Sequence, residues 1–124
     1  MAGFRPDEHI RQRTEFQQIY ERGAKLHGRY ATLFFLPTDR PFARLGIAAT
    51  KKLGGAVVRN RAKRLIRELF RLTKVDGSAA GLDIVVVPKR ELLDASLDAI
   101  ETDYRNLLAK YLGRRRGAGS HPRL

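Results

Sequence analysis

Residues 57–73 restrict the fold of this chain more than any other segment, because they combine an apolar face with a cationic one. At a helical step of about 100° per residue, the apolar side chains gather on one side and the cationic side chains on the other. The apolar side holds Val58, Ala62, Leu65, Ile66, Leu69 and Leu72, and the opposite side holds Asn60, Lys63, Arg64, Arg67 and Arg71, with Arg59 and Arg61 on the flanks. We therefore predict a long helix that docks on a sheet with one face and presents a basic strip with the other.

Positive charge is concentrated in and around this helix. The chain has 25 Lys and Arg against 13 Asp and Glu, a formal net charge of +12 that is typical of nucleic-acid-binding proteins. Between residues 51 and 74, Glu68 is the only acid. Like charges three and four residues apart repel by roughly 0.2–0.5 kcal/mol per pair, and an external polyanion would relieve that repulsion. A solvated helix face is the alternative reading of the charge, and the shortage of counter-charges favours a nucleic acid.

Shorter patterns predict the remaining elements. A first helix is predicted to begin at Thr14, where Gln17 completes a capping box, and to end at Gly23 in a left-handed cap. A last helix carries Leu97, Ile100, Tyr104, Leu107, Leu108 and Tyr111 on one side. Three strands are predicted, at residues 30–36, 44–49 and 84–87. The order αββαβα indicates one α+β domain, and the general rule for a strand, helix and strand of one sheet predicts a right-handed crossover.

Length and composition favour a single domain in a reducing compartment. The 124 residues suffice for one domain, and the absence of cysteine excludes disulfides and thiolate metal sites. The first residues have no signal-peptide pattern, and no apolar stretch approaches the ~20 residues of a membrane span. We therefore expect a cytoplasmic protein without a membrane partner. We expect a domain over residues 1–112 and a disordered basic tail over 113–124, where the sequence has no periodicity.

Residues 51–68, KKLGGAVVRNRAKRLIRE, resemble the signature of the bacterial ribonuclease P protein family. That signature joins a Lys-Lys-x-Gly-x-Ala-Val segment to Arg-Asn-Arg-x-Lys-Arg and a following Arg-Glu or Arg-Gln. Residues 14–20 with Gly23 resemble the family's first helix, and the resemblance continues to about Tyr111. The Arg-rich tail after Leu112 departs from the family pattern.

The resemblance implies a subunit of an endoribonuclease that removes the 5′ leader from precursor tRNA. It implies a fold like that of domain 2 of ribosomal protein S5, with a left-handed crossover in place of the right-handed one predicted above. It also implies that catalysis lies in the RNA subunit, with Mg²⁺ held by that RNA and the substrate and none bound by this chain. The implied partners are the catalytic ribonuclease P RNA and precursor tRNA, and no obligate protein partner is expected.

Two sets of residues are candidates for these RNA contacts. The candidates for binding the RNA subunit are Lys51, Lys52, Arg59, Asn60, Arg61, Lys63, Arg64 and Arg67. The candidates for binding the 5′ leader are Phe16, Tyr20, Thr32 and Phe34, since aromatic rings stack on bases with little sequence preference. Burial of Phe16 and Phe34 in the core is the alternative.

The sequence gives less support to other classes of function. His9, His27 and His121 lie far apart, and no carboxylate cluster has a metal motif, so no catalytic centre of protein side chains is expected. A ribosomal-type or general double-stranded RNA-binding protein would share the basic helix but lack a leader cleft. A DNA-binding protein would use the basic helix in a major groove, yet no preceding helix stands at helix-turn-helix spacing.

Overall fold

The chain folds into three α-helices and four strands in a computed structural model that describes residues 8–119, with side chains to residue 115. In chain order these are α1 (Arg13–Arg22), β1 (Ala24–His27), β2 (Ala31–Pro37), β3 (Arg44–Ile47), α2 (Ala56–Thr73), β4 (Leu82–Pro88) and α3 (Leu97–Gly119). Short 3-10 turns follow α2 at Lys74–Asp76 and β4 at Arg90–Asp94.

The strands form one mixed sheet in the order β1-β2-β4-β3. β2 pairs antiparallel with both β1 and β4, with Phe34 opposite Val85, while β3 runs parallel to β4, with Leu45 opposite Ile84. The basic helix α2 is therefore the crossover between two parallel neighbours. This confirms the predicted α+β fold, and the left-handed sense of the crossover stays an expectation from the resemblance.

The beginning of the chain differs from the prediction in three ways. α1 begins after an extended Gln12 that makes no side-chain cap, so the capping box predicted at Thr14 and Gln17 is wrong. Gly23 ends α1 with extended backbone, φ −81° and ψ 160°, and not in a left-handed cap, because the chain enters β1 directly. The strand β1 itself was missed, since only Leu26 of its four residues is buried and no alternation marks it.

The last helix is longer than predicted. α3 continues to Gly119, so residues 113–119 are helical where disorder was expected. Arg is a good helix former, and a helix that is already anchored by packing can continue without an apolar stripe. Residues 120–124 of the expected tail lie outside the described residues, and the domain boundary at residue 112 stays a prediction.

The two faces of the sheet carry separate apolar cores. Leu33 and Phe35 of β2 face α2 and α3, whereas Phe34 between them faces α1, as strand alternation requires. On α2 the predicted face is correct for Ala62, Ile66 and Leu69, but Phe70 is buried and Leu72 only partly so. The smaller core under α1 consists of Ile10, Ile19, Phe34 and Val85.

A buried ionic network fastens α1 to the sheet. Arg44 is 7% exposed, and its guanidinium donates to both carboxylate oxygens of Asp83 at 2.9 and 2.6 Å. Its Nη2 also lies 3.0 Å from Glu15 Oε2 of α1. The hydrogen bond to Asp83 raises the pKa of Arg44 above its ordinary value, although burial opposes the shift. The network thus links α1, β3 and β4.

Asp83→Asn should lower the free energy of unfolding by about 3 kcal/mol, because it leaves the charge of Arg44 buried with an incomplete partner. Glu15→Gln is the control, since the Glu15 side chain is 30% exposed and its loss should cost less than half as much. Urea denaturation of both variants measures the difference. Equal losses would show that burial does not decide the strength of these two contacts.

Candidate RNA interface

The basic strip predicted on α2 is present and faces away from the core. Asn60, Arg64 and Arg67 are exposed, and Lys63 is half-buried. A concavity of about 390 Å³ runs along the strip, lined by Asn60, Arg64, Arg67, Glu68 and Arg71. Guanidinium groups grip phosphates through two parallel hydrogen bonds, so this surface suits an RNA backbone.

Part of the charge on the strip is neutralised within the helix. Arg71 donates two hydrogen bonds to the carboxylate of Glu68, one turn earlier, from Nε at 3.0 Å and from Nη2. This bonding lowers the pKa of Glu68 and raises the pKa of Arg71. Glu68 thus compensates Arg71, whereas Arg64 and Arg67 form no ion pair with an acid among the described residues of the helix. The charge of the strip that is not compensated within the helix therefore includes Arg64 and Arg67 in its middle turns.

The beginning of α2 adds further positive groups. Lys51 and Lys52 are exposed in the turn before the helix, and Gly54 in that turn has φ 153°, which side-chain-bearing residues rarely adopt. The first turn of α2 contains no acid, so the positive end of its dipole is not offset there. These residues converge on one end of the basic strip.

Arg59 and Arg61 flank the basic strip, and both side chains are more closely associated with the rest of the protein than we expected from the sequence. Arg61 is exposed, but its Nη2 donates to the backbone carbonyl of Leu93 at 3.0 Å. Arg59 is half-buried, and its Nε is buried without a hydrogen-bond partner among the described residues. Because Nη2 of Arg61 is already bonded to Leu93, only the other nitrogens of this guanidinium are left to bind a ligand.

The aromatic residues proposed for the leader lie together on the α1 face of the sheet. The ring centroids of Phe16 and Tyr20 are 6.3 Å apart, and those of Tyr20 and Phe34 are 4.9 Å apart with an edge-on angle of 66°. Tyr20 is 40% exposed, whereas Phe34 is only 8% exposed. Phe34 therefore supports the ring of Tyr20 from below, and Tyr20 is the ring with most surface to offer a base.

Two further polar residues border this aromatic surface and were not predicted. Lys25 and His27 of β1 stand directly opposite Phe34 and Thr32 across the hairpin. The Lys25 ammonium lies 5.7 Å from the centre of the Phe34 ring, and His27 Nδ1 is 3.3 Å from Thr32 Oγ1. The sequence could not indicate these neighbours, because β1 itself was not predicted.

The described residues contain no group of three His, Asp or Glu side chains suited to a metal ion. None of the helices within residues 8–119 is both long and apolar enough to cross a membrane.

Comparison with known proteins identifies the family. The family model for ribonuclease P matches residues 4–112. The chain belongs to the ribonuclease P protein family. The ribonuclease P protein component of Syntrophus aciditrophicus is 48% identical over 82 residues, which are 66% of this chain and 68% of that one. The component of Geobacillus kaustophilus is 34% identical over 109 residues, covering 87% and 89%.

Solved structures agree with the ribonuclease P assignment. The RNase P protein of Staphylococcus aureus superposes with a TM-score of 0.72 at 30% identity, covering 84% of this chain and 94% of that one. The protein of Thermotoga maritima gives 0.72 at 32% identity, covering 83% and 96%. These likenesses confirm the predicted function as a ribonuclease P protein component in tRNA processing, with an RNA partner in a ribonucleoprotein. None of them favours the general RNA-binding alternative.

Phe34→Ala should lower the free energy of unfolding by about 3–5 kcal/mol, the usual cost of deleting a buried ring. Tyr20→Ala should cost about 1 kcal/mol, because Tyr20 lies at the surface and loses mainly its contacts with Phe16 and Phe34. Thermal unfolding of both variants measures this difference. A Tyr20 variant as unstable as the Phe34 variant would mean that Tyr20 belongs to the core.

Proposed function

We propose that this chain binds the catalytic RNA of ribonuclease P through α2 and the 5′ leader of precursor tRNA through the α1 face of the sheet. One observation carries the proposal: two surfaces of different chemistry lie on different elements, one of arginines on α2 and one of rings beside α1. α2 packs on one face of the sheet and α1 on the other, so one protein can hold two RNA segments at once.

The chemistry of α2 suits the RNA subunit. Arg64 and Arg67 project from a rigid helix whose opposite side is fixed in the core, so their guanidinium groups are held in register for phosphates. Asn60 beside them can donate to and accept from a ribose or base edge. Lys51 and Lys52 extend the contact beyond the beginning of the helix.

The chemistry of the α1 face suits an unpaired strand. Tyr20 offers an exposed ring, with Phe16 beside it and Thr32 providing a hydroxyl on the neighbouring strand. Stacking of a base on such a ring contributes about 1–3 kcal/mol and hardly depends on the base. A subunit that accepts many precursor tRNAs needs this tolerance of leader sequence.

We assign the cleavage chemistry to the RNA subunit, with Mg²⁺ held by that RNA and by the substrate. The protein contributes binding and orientation, because the groups it presents are cations, an amide, a hydroxyl and rings. Its positive charge also reduces repulsion between the two RNAs, so less Mg²⁺ is needed to bring them together.

Reconstitution with a bacterial ribonuclease P RNA tests the proposal. The protein should allow removal of the precursor tRNA leader at a Mg²⁺ concentration too low for the RNA alone, and the protein alone should cleave nothing. The readout is release of the 5′ leader on a denaturing gel. Cleavage by protein that is rigorously free of RNA would overturn the assignment of the catalytic centre.

Tyr20→Ala should weaken binding of precursor tRNA to the assembled enzyme by up to about 1–3 kcal/mol, the contribution of one stacked base. Binding of mature tRNA should hardly change, because mature tRNA has no leader. Titration of the enzyme with both ligands measures the difference. Equal weakening of both ligands would remove Tyr20 from the leader site.

Arg64→Ala should weaken the assembly of the protein with the RNA subunit, the step that precedes binding of precursor tRNA. For about five phosphate contacts, log affinity should fall with log salt at a slope of roughly −3.5 to −4.5, and this variant should flatten it by about 0.7–0.9. Lys110→Ala is the control, since Lys110 is also exposed but lies on α3. A slope that is unchanged in the Arg64 variant, or equally reduced in both, would contradict a specific contact on α2.

A further inference from the structure

α1 packs on the sheet mainly through one side chain. Of its 10 residues only Ile19 is buried, at 1% exposure, with Phe16 half-buried beside it, and no side chain caps the beginning of the helix. The hydrophobic effect is non-directional and depends on the area that is buried. The burial of Ile19 therefore holds α1 down on the sheet but determines its rotation about its own axis only weakly.

Glu15 and Tyr20 lie at opposite edges of the side of α1 that faces the sheet. At a step of about 100° per residue they are about 140° apart around the helix axis, and Ile19 and Phe16 lie between them. A rotation of α1 that lifts one edge from the sheet must lower the other. The contact made by Glu15 therefore influences where the ring of Tyr20 lies.

The Glu15 edge is held by a directional ionic contact. Glu15 Oε2 lies 3.0 Å from Nη2 of Arg44, whose side chain is 9% exposed. Asp83 fixes that guanidinium in turn through two hydrogen bonds, so Arg44 is a rigid anchor for the helix. Among the side chains of residues 8–115, this is the only ion pair that joins α1 to the sheet.

The Tyr20 edge requires a defined rotation of the helix. The Tyr20 ring meets the Phe34 ring edge-on at 4.9 Å, and Phe34 is fixed in β2 opposite Val85. A ring about 5–6 Å from a helix axis moves by about 2 Å when the helix turns by about 20°. Such a movement would break the contact with Phe34 and turn the exposed face of Tyr20 away from its present orientation.

We propose that Glu15 is a positioning residue of the leader site. Its ion pair with Arg44 fixes the rotation of α1 and thereby holds the Tyr20 ring against Phe34, in the orientation that receives a base. This inference rests on the proposed function for the use of Tyr20 by the leader. It adds a residue that touches no RNA and lies on the opposite edge of the helix.

Glu15→Ala in the reconstituted enzyme tests the proposal, and Glu21→Ala is the matched control. Both changes remove one negative charge from α1 and introduce the best helix former, but Glu21 is exposed and forms no ion pair among the described residues. Glu15→Ala should weaken binding of precursor tRNA about fivefold, the lower end of the effect of losing a stacked base, and should leave mature tRNA binding unchanged.

The control also sets the sign that charge alone would give. Loss of an acid beside RNA reduces repulsion, so Glu21→Ala should leave precursor binding within about twofold or tighten it. If Glu15→Ala behaved in the same way as Glu21→Ala, the positioning role would be wrong. Glu15→Gln keeps the shape of the side chain and replaces the Ala variant in the same comparison if the Ala variant does not fold.

A double variant separates the ion pair from a general effect on the helix. Glu15 is the acid in the first turn of α1, where a negative charge also favours the helix dipole. Thr14→Asp combined with Glu15→Ala returns an acid to that turn at an exposed position that points away from Arg44. Precursor binding should stay weak in this variant, and its recovery would show that Glu15 acts through the dipole.

Nuclear Overhauser effects between aromatic rings provide a readout that does not depend on RNA. In the full chain, Glu15→Ala should weaken the cross-peaks between Tyr20 and Phe34 but keep those between Tyr111 and Phe35, which stack at 4.8 Å on the other face of the sheet. Unchanged cross-peaks between Tyr20 and Phe34 would overturn the proposal. If Tyr20→Ala did not reduce the preference for precursor over mature tRNA, the proposed function would fail instead, and the cross-peaks would still decide the role of Glu15.

Discussion

β4 lies between β2 and β3 and is buried on both sides, with Ile84 and Val85 each at 0% exposure on opposite faces. A strand buried in this way requires cover on both faces of the sheet. α2 and α3 cover one face, while α1, with 10 residues, packs on the other. So short a helix leaves Thr32 and Val87 partly exposed on that face. The exposure of Tyr20 on this face is in keeping with the incomplete cover.

The same burial makes α2 a rigid base for its charges. Ala62, Ile66 and Leu69 are almost completely buried, so the helix cannot rotate without exposing them. The arginines on the other side are then fixed relative to the sheet before any RNA arrives. Binding costs less when the contacting groups are ordered in advance. Apolar packing on one side also offsets the mutual repulsion of the cations on the other.

The sequence predicted the long elements well and the short ones poorly, for physical reasons. The apolar pattern of α2 repeats over several turns. The helix is therefore predicted correctly even though Phe70, and not Leu72, is the buried residue near its end. β1 has one buried residue, and its pairing with β2 depends on a hairpin that no local pattern specifies. Strand alternation separates Phe34, in the core under α1, from Leu33 and Phe35, in the core on the other face. It could not reveal that Tyr20 and Lys25 cover the ring, because these contacts come from two other elements.

The two surfaces differ in how they can discriminate between RNAs. Contacts from arginine to phosphate act on any RNA strand and weaken steeply with salt, so they supply affinity without distinguishing precursor from product. A ring such as Tyr20 acts only where a base is unpaired, and stacking depends less on salt. Under the proposed function, selectivity for the leader therefore comes from the small aromatic surface, and α2 adds affinity that precursor and product share. Phe16 lies beside Tyr20 and also lines a concavity bordered by Lys63 and Arg67 of α2, so the charged and the aromatic surfaces adjoin each other at this residue.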